Sequence, residues 1–212
     1  MTDNLTEPFY KAVMNALPDV PQDVMRAWVQ NPEVLKEFLS VLVPRQESMK
    51  KAFMMITLRA VEVKWIKDCF TKMRYRRYRD PNLDLWLPLE QKARGEGKAT
   101  VWQVLKGFTF IEVVQSLLKT SETNRKKLSK LLIEGKHTFT LPEIEALIER
   151  QEAGENIGLL VNGYANFLFT EDSDGNVSVV RACRDGRRWR VNLYRLGFVN
   201  RWSAVNRFFY RN

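Results

Sequence analysis

The chain has 212 residues, 45% of them hydrophobic and 28% charged, with a formal net charge of +9. That length and balance suit one large domain or two small ones with a buried core, and they exclude wholesale disorder. Two cysteines, Cys69 and Cys183, are too few for a disulfide framework or a cysteine-built zinc site. The opening MTDNLTEPFYKAV lacks a basic stretch followed by a long apolar run, and no apolar stretch approaches a bilayer span. A cytoplasmic protein without membrane contact is expected.

In the first third, Thr6 and Pro8 open a helix to about residue 16, and Pro21 opens a second in PQDVMRAWVQ. Asn31 caps a third, PEVLKEFLSVLV, with Val34, Leu35, Phe38, Leu39 and Leu42 on one stripe. Residues 46–79 read as one long helix. Met49, Phe53, Ile56, Ala60, Val63, Ile66, Phe70 and Met73 recur there at three- and four-residue steps. The prolines, glycines and charges of DPNLDLWLPLEQKARGEGKAT predict a linker or boundary loop over 81–100.

Thr109 and Glu112 then form a capping box, with Phe108 and Val113 as its staple, so a helix over 110–119 follows. A second spans 121–134 and ends at Gly135. A second capping box, Thr140 and Glu143, starts a helix to about residue 152. After Gly154 the period changes to two. ANFLFTE and NVSVVRA flank a Ser-Asp-Gly turn, and RWRVNLYRL follows an Asp185-Gly186 turn. A last strand over about 203–210 closes an antiparallel β-meander. The sequence thus predicts an α+β protein: a helical region over 1–80, the loop, and helices plus a small antiparallel sheet over 101–212.

TLPEIEALIER, EDSDGNVSVV, DGRRWRVNLY and NRWSAVNRFFYR resemble the C-terminal region of a family of uncharacterised bacterial proteins, mostly hypothetical proteins of candidate-phylum bacteria. The resemblance covers about residues 105–212 and rests on Asp174, Gly175, Asp185, Gly186, Trp189, Trp202 and Phe208. No activity is assigned to that family, so the resemblance implies none. The arginines crowded into the last two strands depart from its pattern.

Charge is segregated along the chain. Residues 1–44 hold six acids and three bases, and residues 45–100 hold seven acids and fourteen bases. Residues 101–180 hold eleven acids and eight bases, and residues 181–212 hold Asp185 against nine arginines. In the strand from Arg188, alternation sets Trp189, Val191 and Leu193 on a core face and Arg188, Arg190, Asn192 and Tyr194 on an exposed one. Planar cations beside a tyrosine suit phosphate contact and base stacking, and Arg181, Arg184, Arg187, Arg201 and Arg207 extend the patch. A second basic run, KMRYRRYRD at 72–80, adds Arg74, Arg76 and Arg77. The competing reading is a solvated face neutralised by the helix holding Glu143, Glu145, Glu149 and Glu152.

A winged-helix reading fails on charge, because that same acidic helix would have to enter the major groove. GEGKAT resembles a phosphate loop but has Ala99 where a hydroxyl belongs, and EDSDGN has its glycine too early for a calcium loop. His137 is the only histidine, Cys69 reads as core, and Cys183 has no evident base. No catalytic residue, metal or cofactor is therefore expected. The expected function is non-catalytic binding of RNA or single-stranded nucleic acid. The alternative is a protein-interaction or assembly module presenting the same basic face to an acidic partner.

Overall fold

The computed structural model describes Arg26, Gln30, Asn31, residues 50–71 and residues 76–212, with Arg76 and Arg77 described through their backbone alone. Contacts divide the chain into two compact units, Met1–Glu47 and Ser48–Asn212, and every named element belongs to the second. Apart from Arg26, Gln30 and Asn31, the helices expected between residues 6 and 43 lie outside the described residues.

The predicted helical half is overturned where it is described. Among the described residues of 50–79 are strands β1 (Lys50–Leu58), β2 (Lys64–Trp65) and β3 (Arg76–Arg79) and a 3-10 turn, Ile66–Asp68, and no α-helix. In KKAFMMITL, Ile56 and Leu58 are buried and Met54 packs against the same core, a two-residue step. The β-branched Ile56 and Thr57 favour a pleated surface. The three- and four-residue steps mix fates: Ile56, Ile66 and Phe70 are buried while Phe53 and Val63 are exposed. Phe70 has φ +61°, which a continuing helix excludes. Residues 81–100 contain α1 (Asn82–Trp86), β4 (Glu90–Gln91) and the start of β5 (Gly97–Val104), with Leu83, Leu87 and Ala99 buried.

Helices α2 (Phe110–Leu118) and α4 (Leu141–Glu152) start at the two capping boxes of the sequence. Between them, α3 (Arg125–Glu134) starts four residues later than expected, after Asn124, whose side chain accepts from the Lys126 and Lys127 amides. Strands β6 (Ala165–Glu171), β7 (Val177–Asp185) and β8 (Arg188–Arg195) form antiparallel hairpins, with Gly175 and Gly186 at positive φ in the turns. The meander stops there. The last strand, β9 (Arg207–Arg211), lies between β5 and β6, antiparallel to one and parallel to the other. Its two central phenylalanines dictate this. Phe208 and Phe209 point to opposite faces and both are fully buried, which requires a central strand covered on both sides.

The result is a mixed seven-stranded sheet, β1-β5-β9-β6-β7-β8-β3, beside a two-stranded β2-β4 ribbon. One face packs Leu168, Val180, Trp189, Val191 and Phe209 under α4 and residues 66–87. The other packs Phe167, Phe169, Val179 and Phe208 under α2 and α3, around Phe108, Phe110, Val113 and Leu128. No helix among the described residues is long and apolar enough to cross a membrane.

Candidate functional site

The nine arginines after residue 180 divide into two populations, because alternation sends them to both faces of the sheet. Most of them are consumed internally. Arg184 Nε lies 3.1 Å from Glu152 Oε1, and Trp189 Nε1 donates to the same oxygen at 2.9 Å. Arg211 Nε donates to Glu143 at 3.0 Å, and Arg195 Nη1 to the buried Asp172 at 2.6 Å. Arg201 donates to Gly107 O and Glu112. Arg207 donates to Gly158 O at 2.7 Å and lies over the Phe53 ring, its pKa pushed below the ordinary value by burial.

The neutralisation by α4 that the competing reading requires is therefore present in part. Glu143 holds Arg211, Glu152 holds Arg184, and Glu145 holds Lys64 and the Phe70 amide. None of these carboxylates meets Arg187, Arg188 or Arg190. The reason is positional: α4 covers the Trp189 face, while Arg190 belongs to the opposite face.

Arg187 and Arg188 are exposed and, among the described residues, without a side-chain partner. Arg190 pairs with Asp185 at 3.3 Å, both about half exposed. Tyr194 corrects the sequence expectation. Although it lies opposite Trp189 as alternation requires, its ring packs against Phe198, Trp202 and Phe110 beneath α2 instead of standing in solvent.

The second basic run lies beside the first. Strand β3 pairs in parallel with β8, with Arg76 opposite Trp189, Tyr78 opposite Arg190 and Arg79 opposite Val191. Asp80 continues the join, its amide donating to Val191 O and its Oδ2 accepting from the Leu193 amide. Arg74 lies outside the described residues. Arg79 is structural: its guanidinium grips Asp84 through two bonds and donates to Cys69 O and Ile66 O. Tyr78, which sequence reasoning missed, is exposed on the same face as Arg190.

Where the aromatic layer under α2 ends, a cavity of about 530 Å³ opens between the 161–163 loop and the β7–β8 turn. Arg181, Cys183, Arg184 and Arg190 line it with Asp185, Asn162, Gly163 and Gly186. Arg181 makes one long bond, Nη1 to Asn192 Oδ1 at 3.4 Å, and its buried Nε has no partner.

His137 and Cys69 lie away from this edge. His137 Nδ1 is 2.8 Å from Arg211 O, and its ring stacks on Tyr210. The Cys69 thiol is pushed up to about 12 by burial and by the Glu145 charge. No family model, curated protein or solved structure matches this chain.

Proposed function

We propose that this chain is a non-catalytic, cytoplasmic binding protein for RNA or single-stranded nucleic acid, gripping its ligand along the β3–β8 edge. One observation carries the reading: two basic runs about a hundred residues apart in sequence are neighbouring strands of one sheet edge. Arg187, Arg188 and Arg190 supply planar guanidiniums for phosphate oxygens, and Tyr78, in register with Arg190, supplies an exposed ring for stacking. An exposed strand edge of this kind suits unpaired bases better than a duplex, whose grooves are read by an inserted helix or ribbon. The non-catalytic part is supported by the buried Cys69 thiol and by the partly buried His137 imidazole, whose Nδ1 is engaged with Arg211 O, and the cytoplasmic part by two free, buried cysteines.

Changing Arg188 and Arg190 to glutamate tests this. Fluorescence anisotropy with a mixed-sequence single-stranded RNA should show binding weakened at least tenfold, with the thermal midpoint nearly unchanged because Arg188 is exposed and Arg190 about half exposed. The wild type's log binding constant should fall linearly with log salt, by about 0.7 per phosphate contact. A slope near zero would instead favour a protein partner on the same face, since only its rim charges are screened. Absence of RNA binding by the wild type at low salt would refute the reading.

A further inference from the structure

We propose that the cavity at the β7–β8 turn is a socket for a phosphate group, with Arg181 as its central ligand. The identification of that phosphate as part of a nucleic acid rests on the reading above, but the chemistry of the socket does not. A guanidinium taken out of water costs free energy unless an anion or a full set of acceptors compensates it. Arg184, Arg195, Arg201 and Arg211 each have a carboxylate. Arg181, partly buried, has none among the described residues; its only bond is the long one to Asn192. Its Nε is buried and unpartnered, and the residue lines a cavity large enough for a nucleotide.

The rest of the wall is basic as well. Arg190 stands diagonally across the β7–β8 ladder from Arg181, which is opposite Asn192. Of the three arginines in the wall, Arg184 is held by Glu152 and Arg190 by Asp185, so Arg181 is the one without a carboxylate among the described residues. Gly163 and Gly186 have φ of +92° and +62°, and a Cβ on either would meet nothing within 4 Å, so their backbone borders open space that a ligand can approach closely. A phosphate brings several acceptor oxygens to the donors that Arg181 leaves unused, with the forked geometry that guanidinium favours. The Arg181 guanidinium lies 5.8 Å from the Trp202 ring, which limits its freedom to swing out to solvent.

The test compares wild type, Arg181→Met and Arg181→Lys at matched ionic strength. Calorimetric titration uses inorganic phosphate, adenosine monophosphate, and single-stranded RNA decamers with a 5′-phosphate or a 5′-hydroxyl. The wild type should bind phosphate and the mononucleotide saturably and gain thermal stability from them. Arg181→Met should weaken both at least tenfold, and Arg181→Lys, which keeps charge but not the fork, should fall between. The ligand-free midpoint of Arg181→Met should be no lower than wild type, because the stem still packs and an uncompensated charge is gone. A 5′-phosphate preference dependent on Arg181 identifies a terminal phosphate as the occupant, and equal, Arg181-dependent binding of the two decamers identifies an internal one. No saturable phosphate binding, or identical binding by Arg181→Met, overturns the socket. That result together with decamer binding lost in the Arg188/Arg190 variant would leave the edge reading standing. Arg181-dependent phosphate binding by a protein that ignores RNA would sink the edge reading alone.

Discussion

Glu143 is the side chain whose loss should cost the fold most for its size. It is 1% exposed and does two jobs: Oε2 accepts the Thr140 amide at 2.8 Å, closing the start of α4, and Oε1 accepts Arg211 Nε at 3.0 Å. Arg211 is only 10% exposed, and its remaining bond is to Gly95 O at 3.3 Å. Truncation to alanine would leave a buried guanidinium facing an empty space and an uncapped amide. Breaking a buried pair from one side costs about 3–5 kcal/mol, and the lost cap adds up to about 1. A total near 4 kcal/mol corresponds to a fall of about 8–16 °C in Tm for a domain of this size. Urea unfolding followed by tryptophan fluorescence would measure it, with an unchanged m-value confirming that the native state alone is affected. The double variant Glu143→Leu, Arg211→Met removes both charges and should be clearly more stable than Glu143→Ala. A Glu143→Ala cost below about 1 kcal/mol, or a double variant no better, would show that the pair is solvated and that α4 is not pinned to the end of β9.

Trp189→Ala should cost about 3–5 kcal/mol, and Trp189→Phe, which chiefly removes the indole N–H from Glu152, about 1–2; a harmless Trp189→Ala would overturn the strand register. Cys69, held protonated by burial and by Glu145, should resist thiol reagents at pH 8 until the protein unfolds, and native-state labelling read by mass spectrometry would contradict that burial. Tyr210 is pushed up to about 12 by burial, so its contribution to stability is present below about pH 10, the unfolded value, and is lost as pH rises from there through about 12. Ultraviolet titration should show a late-ionising component that disappears in Tyr210→Phe, and a titration unchanged by that substitution would refute it.

The parts of the fold legible in the sequence are those whose causes are local. Both capping boxes form: Glu112 accepts the Thr109 amide at 2.6 Å and Glu143 the Thr140 amide, each within four consecutive residues. The Asp185-Gly186 turn and the opposition of Trp189 to Tyr194 follow equally from neighbours in the chain. What escaped depends on distant partners. Strand β1 carries lysines, methionines and a phenylalanine that fit either period, and its pairing with β5, some forty residues on, decides between them. The neighbours of β9 and β3 have no local signature at all. Tyr194 was assigned to the right face but not to the right environment, since only the packing of α2 above it removes it from solvent. The arginine strip could be counted in the sequence; how many members Glu152, Asp172, Glu112 and Glu143 would claim could not.

A structural role competes with the functional one at the β3–β8 edge. Edge strands carry charged side chains to prevent pairing with another sheet, and β3 is such an edge. The opposite edge, β1, manages with two lysines in nine residues while Phe53 and Met55 stand exposed. Strand β3 instead has Arg76, Arg77 and Arg79 among its four residues, beside Arg188 and Arg190 on the next strand. Arg79 is spent on Asp84, so edge protection explains one or two of the others and leaves an excess. The two roles differ in how they depend on sign. Any charge blocks edge pairing, since desolvating glutamate is as costly as desolvating arginine, whereas only a positive charge attracts phosphate. The Arg188→Glu, Arg190→Glu variant should therefore remain monodisperse by size-exclusion chromatography while RNA binding collapses. Aggregation of that variant would mean that inversion damages the edge itself. Retained binding in a monodisperse variant would reduce these arginines to guards of the sheet.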